Sequence, residues 1–386
     1  MIISIATGPW LPVPAIQGGS VPRLWQGLAE EFAAKGHQVN ILCRAYPGQP
    51  QQEVINGVNY IRRGGFSQST DIRWDLFKDL VYALMTFPRL PPSDILVIND
   101  FWLPVFAALR PQVGKIVINA NRFPKGQYRL YAKADLITAA SQAIKKAITQ
   151  EYSPAIARTK VIPNPIDINI FHPATSLTYQ QQEKVILYVG RLHPEKGVHL
   201  LLDAFSLLTQ KYAPVKLRII GPFKESQGGG GEQYLSTLKI KATGLNVEFV
   251  EPIFDIQQLA QAYREADIFC YPSLAEKGEA FPVAPLEAMG TGLIPVVSNL
   301  DCFQDLINDD ETGFFFEHRS TDAASNLSLA WEKIILNPEK AEEMSQKARR
   351  KASEFSYQRI ASIYLDDFKN LLSNQGVNYL NKKLLS

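Results

Sequence analysis

The chain has 386 residues, 46% hydrophobic and 20% charged, with a formal net charge of +2. That is too long for one ordinary core and long enough for two, and no apolar run reaches the roughly 20 residues that a membrane-spanning helix needs. The near-neutral total hides an asymmetry: residues 1–165 carry 18 Lys and Arg against 10 Asp and Glu, and the remainder carries 22 against 28.

The opening "MIISIATGPW" has no basic leader and reads as a buried strand, not a signal peptide. After the strand "MIISIAT" (1–7), "SVPRLWQGLAEEFAAKG" (20–36) has helical spacing with Gly36 as its stop, and "QVNILCR" (38–44) is the next strand. "DILVIND" (94–100), "KIVINAN" (115–121) and "ADLITAAS" (134–141) repeat the strand pattern, and a helix capped by Ser141 follows. Near-continuous Val, Ile and Leu strands separated by helices predict a parallel sheet covered on both faces. Within this half, 110–146 holds eight positive residues opposed only by Asp135. It reads as a solvated face or as a surface for an anionic acceptor or anionic membrane. It carries no nucleic-acid motif.

"KVIPNPIDINIFHP" (160–173), with three prolines, reads as a last short strand and then a linker. The alternation resumes with the strand "KVILYVG" (184–190), a helix over 194–212 and the strand "VKLRIIG" (215–221). "GGGG" (228–231) reads as a flexible loop without phosphate-cradle spacing. Further strands are expected at 246–253, 266–273 and 293–299, and an amphipathic helix at 355–374. Two α/β units result, whose ligands belong beyond the C-terminal strand ends. Cys43, Cys270 and Cys302 are odd in number, far apart and without metal-ligand spacing, as free thiols in a reducing cytoplasm would be.

In "YVGRLHPEKG" (188–197) a strand ends at Gly190, Arg191 occupies the turn and Lys196 the first turn of the next helix. A planar fork of donors beside a compact charge suits a diphosphate, and a helix N-terminus adds N–H groups; alternatively Lys196 and Glu195 are exposed charges at a helix start. Gly18 and Gly19 allow close backbone approach to a ligand, although an ordinary loop also explains them. Neither a dinucleotide fingerprint nor a Walker loop is present, and no Asp-x-Asp pair offers metal ligands. "EKGEAFPVAPLEAMGTG" (276–292) sets Glu279 and Glu287 eight residues apart in an apolar stretch. They read as an acid and base, two grips on one ligand, or solvated charges. The five histidines show no catalytic partner nearby in sequence and read as structural or surface residues.

Taken in order, Gly18–Gly19, "VIPNPID", "ILYVGRLHPEKGVHLLLDAF" and the E-x7-E pair with "LEAMGTGLIPVVSN" resemble the retaining family-4 glycosyltransferases of GT-B fold. The resemblance runs through "DDETGFFFE" (309–317) to the C-terminal helices. It implies two Rossmann-like domains with parallel sheets facing a central cleft: an acceptor domain over 1–165 and a nucleotide-sugar domain over 166–367, with a helix from about 368 to 386 packing back on the first. It implies that Arg191 and Lys196 bind the donor diphosphate and stabilise leaving-group charge. Glu279 then meets the donor-sugar hydroxyls and Glu287 the ribose, while Gly18 and Gly19 bring N–H groups near the phosphates. Gly190, Ala280, Phe281, Pro282 and Val283 complete the donor side, and Asn121 and Arg122 lie on the acceptor side. The implied donor is a UDP-hexose, UDP-glucose first, with no cofactor and no metal. The acceptor is a hydroxyl of a glycan or lipid-linked precursor in surface polysaccharide synthesis, at a cytoplasmic site with peripheral contact to the inner membrane face.

The sequence departs from the family in "EAFP", where E-G-F-G is usual: Pro282 has no N–H to offer the sugar. A histidine usual near the acceptor is not evident, and "AEKG" lengthens the loop before Glu279. Four other functions compete. A sugar-nucleotide epimerase and a phosphorylase share the fold, which alone excludes neither; the epimerase needs a proton-transfer cluster that the sequence does not show. A hydrolase needs two carboxylates about 5 to 10 Å apart. A non-catalytic sugar-nucleotide sensor would keep the binding residues and lose turnover.

Overall fold

The computed structural model describes residues 1–69, 71–174, 183–212 and 214–383. The chain divides into two units, Met1–Pro165 with Tyr357–Ser386, and Ile166–Ser356.

In the first unit, eight strands form one sheet: β1 (Ile2–Ala6), β2 (Gln38–Arg44), β3 (Gln52–Ile55), β4 (Val58–Arg63), β5 (Ile95–Ile98), β6 (Lys115–Ala120), β7 (Leu136–Ala139) and β8 (Thr159–Val161). Their spatial order is β3-β4-β2-β1-β5-β6-β7-β8. All neighbours are parallel except β3 and β4, an antiparallel hairpin. Sequence reading passed over that hairpin although its turn is Asn56-Gly57, both at positive φ, the pair that a tight hairpin turn demands. The helices are α1 (Ser20–Ala34), α2 (Ile72–Thr86), α3 (Leu103–Ala107) and α4 (Gln142–Glu151). Ser141 caps α4 as expected, its hydroxyl accepting from Ile144 N at 3.3 Å.

The C-terminal helix (Tyr357–Lys383) belongs to this unit from its first residue, eleven residues before the expected return at 368. Its Ile360, Ala361, Tyr364, Leu365 and Phe368 share one core with Trp25, Leu28 and Phe32 of α1 and Ile3 and Ile5 of β1. The Tyr364 ring meets Trp25 edge-on at 5.5 Å, and its hydroxyl accepts from Asn119 Nδ2 at 3.2 Å. The boundary at 368 therefore cuts through a buried apolar stripe, which is why the structure moves it.

The second unit is a six-stranded parallel sheet of β9 (Lys184–Val189), β10 (Val215–Ile220), β11 (Val247–Val250), β12 (Ile268–Tyr271), β13 (Ile294–Ser298) and β14 (Phe314–Phe316). The order is β11-β10-β9-β12-β13-β14. It is flanked by α5 (Val198–Thr209), α6 (Gly231–Lys241), α7 (Ile256–Arg264), α8 (Val283–Gly290), α9 (Ala323–Ile335) and α10 (Pro338–Ser353). The strands read from the sequence are all present, trimmed at their ends. The helix expected over 194–212 is broken: Pro194–Lys196 is a 3-10 turn, and α5 begins only after Gly197. Where the chain enters and leaves this unit, Ile166 N donates to Phe355 O at 2.8 Å.

Two parallel sheets, each built outward from a central strand, place a topological switch point between β1 and β5 in the first unit and between β9 and β12 in the second. Such points leave a crevice beyond the strand ends, where ligands bind.

Replacing Gly27 in α1 by Ala should destabilise the protein by about 1–3 kcal/mol, although Gly→Ala inside a helix is ordinarily favourable. The added methyl would fall 2.4 Å from Cε1 of Tyr357. Urea titrations of Gly27→Ala, Tyr357→Ala and the double variant check this; strictly additive losses would count against the clash.

Candidate active site

β9 ends at the switch point, and Gly190 follows it. A Cβ there would lie 2.7 Å from the Tyr188 hydroxyl and 3.3 Å from Cε2 of Tyr271. Those two rings, from the adjacent strands β9 and β12, stack at 5.9 Å, and the Tyr188 hydroxyl donates to Arg191 O at 2.9 Å. The chain thus turns in front of the sheet with its backbone held. Arg191 reaches back from this turn: Nη1 donates to Gly228 O at 2.6 Å and Nη2 to Glu195 Oε1 at 2.8 Å. Its side chain remains 42% exposed, and donors of its five-donor fork remain beyond these two bonds.

The tetraglycine is not the flexible loop expected. Gly230 N donates to Leu192 O and Gly231 N to Phe223 O, each at 2.8 Å. A Cβ on Gly229 would stand 2.1 Å from Phe223 O. The glycines form a tight backbone turn that seats Arg191.

Lys196 lies in the 3-10 turn, not in the first turn of α5. The turn is closed by Gly197 at φ +70°, where a Cβ would be 2.0 Å from Pro272 O. This close approach to the end of β12 carries Lys196 into the crevice. Its ammonium pairs with Glu279 Oε1, and both residues are almost fully buried. Ser273 Oγ donates to the same carboxylate oxygen at 2.8 Å, and Lys196 Nζ lies 5.8 Å from the Tyr271 ring centre. Arg191, Lys196 and Glu279 are therefore brought to one switch point.

Glu287 is held separately on α8. It is buried, and Tyr263 of α7 donates its hydroxyl to Glu287 Oε2 at 2.9 Å. Between the two glutamates the chain bends at Ala280 and Phe281, and Pro282, in extended conformation, occupies the position before α8, which carries Glu287. Val283 and Ala284 start the helix with N–H groups; Pro285 has none. Ala280 is half-buried, and the Phe281 ring is buried 5.7 Å from Phe355, so its side chain packs the core. The lengthened loop before Glu279 is pinned: Glu276 pairs with Arg319 at 2.8 Å and with His318 Nε2 at 3.0 Å. This acidic partner of His318 lies 42 residues away, out of reach of a local reading of the sequence.

In the first unit, Gly18 and Gly19 precede α1, both at positive φ, and Gly19 occupies the cap. Asn121 follows β6 and donates to Asn119 Oδ1, and Arg122 is exposed. Within the basic stretch 110–146, Lys115 is paired with Asp135 at 2.8 Å. At this unit's own switch point sequence reading missed an acidic pair. Asp79 is buried and its Oδ2 accepts from Phe101 N and Trp102 N at 3.1 and 3.0 Å. Asp100 follows β5, its carboxylate oxygens buried without a hydrogen-bond partner among the described residues. Burial pushes the Asp79 carboxyl up to about 6; burial, with Asp79 beside it, pushes Asp100 well up.

Sequence reading also missed Ser273 and Tyr263; it named Glu195 only as a charge at the helix start, and the structure pairs it with Arg191 at 2.8 Å. Ser273 had a signal, as it comes two residues after the end of β12 at the switch point. Tyr263 had none, since it is one apolar-face residue of a helix 24 positions before its partner. Cys43, Cys270 and Cys302 are buried, and burial raises all three thiols. Among the described residues no three His, Cys, Asp or Glu side chains group as metal ligands, and no helix is long and apolar enough to cross a membrane.

Removing one member of the buried pair strands the other, at a typical cost of about 3–5 kcal/mol. Lys196→Ala and Glu279→Ala should each lower stability by that order in urea titrations, and the double variant by clearly less than their sum. Equal additive losses would mean that the pair does not interact. The aspartates carry a pH sign. Their raised folded values mean that the native state binds more protons, so their stabilising contribution is present at low pH. It is lost as pH rises from about 4 through about 6 and beyond. Asp100→Asn should gain stability relative to the parent across that range; a constant difference would refute the assignment.

Comparison with known proteins places the chain. Residues 21–170 match the family described as Glycosyltransferase Family 4, and residues 175–351 match Glycosyl transferases group 1. The chain is 24% identical over 396 residues to spore coat protein SA of Bacillus subtilis, covering 96% of this chain and 99% of that one. It is 27% identical over 313 residues to phosphatidyl-myo-inositol mannosyltransferase of Mycobacterium tuberculosis, covering 77% and 78%. Among solved structures it is similar to Anabaena HepE in complex with UDP-glucose, with TM-score 0.71, 20% identity and coverage of 96% and 100%. Two parallel α/β units, a basic and acidic cluster at the second switch point, and family matches over both halves together make this chain a member of the retaining family-4, group 1 glycosyltransferases of GT-B fold, enzymes that transfer sugar from a nucleotide sugar.

Proposed function

We propose that this chain is a metal-independent hexosyltransferase that takes UDP-glucose as donor and delivers the sugar to a hydroxyl of a glycan or lipid-linked acceptor in surface polysaccharide synthesis, on the cytoplasmic side. The observation that carries the reading is the buried Lys196–Glu279–Ser273 cluster beside the backbone-anchored Arg191. Arg191 and Lys196 offer fixed positive charge where the glycosidic oxygen leaves with the diphosphate, and charge placed in advance costs no reorganisation in the transition state. Glu279, oriented by Ser273, accepts from a donor-sugar hydroxyl. Glu287, oriented by Tyr263, accepts from the ribose. Gly190 and the Ala280–Val283 turn are assigned to the donor, and Gly18, Gly19, Asn121 and Arg122 to phosphate and acceptor contacts, by the family resemblance alone. Retention is ascribed to acceptor attack on the leaving-group face, with a phosphate oxygen taking the acceptor proton.

The donor choice is supported by the UDP-glucose bound in the HepE structure, and the lipid-linked acceptor by the lipid named in the mycobacterial relative. Hydrolysis by the two glutamates is disfavoured because each is already held in a different hydrogen-bonded cluster.

Calorimetric titration with UDP, GDP, ADP and UDP-glucose, without added metal, tests the reading. Saturable UDP binding, weakened about tenfold or more by Arg191→Ala, is expected; no nucleotide binding by folded protein would refute it, and binding without turnover across an acceptor panel would leave a sensor. Tyr263→Phe should raise KM for the donor several-fold with little change in kcat, because it loosens a ground-state grip. A fall in kcat alone would exclude that role for Glu287.

A further inference from the structure

The loop from Ser273 to Glu279 carries at its two ends the side chains that hold Lys196, and the bond from Ser273 Oγ to Glu279 Oε1 closes its base. Its start is moored to the Lys196 turn, Leu274 N donating to Glu195 O at 2.7 Å. Within it, Glu276 N donates to Leu274 O at 3.1 Å and Gly278 N to Ala275 O at 3.0 Å. The turn is tight: a Cβ on Gly278 would fall 2.6 Å from that of Ala275. Glu276, Lys277 and Gly278 form the exposed outer end.

Glu276 fastens that outer end to the sheet. Arg319 Nε meets its Oε1 at 2.8 Å and Nη2 donates to its Oε2 at 2.9 Å, a two-point fork. The third nitrogen, Nη1, donates to Asn299 O at 2.9 Å. Asn299 follows β13, and Arg319 comes three residues after β14. One guanidinium thus ties the segments that leave three neighbouring strands, β12, β13 and β14. His318 Nε2 adds a bond to Oε1 at 3.0 Å. A carboxylate only accepts, so Nε2 carries the hydrogen. The buried Nδ1 has no partner among the described residues, so no second bond turns the ring away.

The Glu276 and Arg319 side chains are about half exposed, and such a pair adds little to global stability. A bidentate fork does something else: it fixes direction as well as distance. Each residue that the loop gains costs more entropy to order, and this loop must be ordered for Glu279 to meet the Lys196 ammonium. We propose that Glu276, His318 and Arg319 are positioning residues for the donor-sugar grip, holding the outer end of the loop so that Ser273 and Glu279 stay aligned on Lys196. The inference rests on the donor reading, and the three residues act through Glu279.

The test uses the full chain and two readouts. In the nucleotide-free protein, hydrogen exchange over residues 272–282 is followed by mass spectrometry. Arg319→Gln and His318→Leu should speed exchange there several-fold, because the bonded amides of Leu274, Glu276 and Gly278 open more often, while melting stays near that of the parent. His318→Gln should keep the parent's rate, since its amide nitrogen can donate from a similar reach. Glu276→Arg/Arg319→Glu should recover part of what Glu276→Arg alone loses. In calorimetry, Arg319→Gln and His318→Leu should bind UDP within about twofold of the parent and UDP-glucose at least about fivefold more weakly. Lys277→Gln, on the same turn but outside the cluster, should match the parent in both readouts.

Unchanged exchange in Arg319→Gln and His318→Leu overturns the inference whatever the nucleotides do. Faster exchange with UDP and UDP-glucose weakened equally, or neither weakened, overturns the link to the sugar grip. Should the single variants melt well below the parent, the swapped pair decides: recovered exchange and UDP-glucose binding support the inference, and their absence overturns it. A parent that does not bind UDP-glucose refutes the donor reading and the positioning role with it. The exchange arm, run without nucleotide, tells that outcome apart from a loop that Arg319 and His318 do not hold.

Discussion

A lysine and a glutamate taken out of water together set the terms for everything around the second switch point. Either charge alone would cost several kcal/mol to bury, and even paired they gain little stability over an apolar replacement. Their value lies in position. With Glu279 holding it, and Ser273 holding Glu279 in turn, the Lys196 ammonium has one location, and three N–H bonds to distribute, only one of which the pair consumes. A cation fixed in this way meets an incoming anion without first being ordered, and low surrounding polarity strengthens what it does there.

That pair joins positions 83 residues apart, and strand order is what joins them. β9 and β12 are neighbours across the switch point, so the turns that follow them open into the same crevice. The remaining distance is closed by one backbone contact. Gly197 comes so close to Pro272 that no side chain fits between them, and this ends the 3-10 turn with Lys196 pointing at the strand end. Arg191 is placed by a different device, a turn of glycines whose carbonyl it grips. One cation is buried and locked, the other anchored at its fork and open to solvent on the rest of its surface.

The repeating fold was legible because buried parallel strands write themselves as apolar runs rich in Val, Ile and Leu, and eleven strands were read at nearly their true places. What escaped had no such run. The β3–β4 hairpin lies at a sheet edge and alternates with Gln, Glu, Asn and Arg. α2 escaped because its apolar residues face outward, so periodicity gives no core-facing stripe. At the site, the residue types alone left Glu279 and Glu287 open between an acid–base couple, two grips on a ligand and solvated charges, and it was the family resemblance that singled them out with Arg191 and Lys196. Their partners were not readable: Ser273, Tyr263 and Gly228 meet them only through strand order and helix packing. The tetraglycine was misread for the same reason, since glycine signals freedom in a chain and close approach in a fold.

The two glutamates show how little sequence spacing alone decides. Eight residues on a continuous helix would put both carboxylates on nearly one face, as an acid–base couple requires. Here Glu279 lies outside the helix, because α8 starts only after Pro282 and the chain bends at Ala280 and Phe281 before it. The same proline alters the helix end. Of the four N–H groups that a helix start leaves unpaired, those at Pro282 and Pro285 do not exist, leaving Val283 and Ala284. Half of the usual anion-binding capacity of such an end is thereby removed, at the very turn where the family pattern has glycine. Under the proposed donor reading, the charge of the diphosphate then falls to side chains, to Arg191 in its glycine-lined seat and to the buried Lys196.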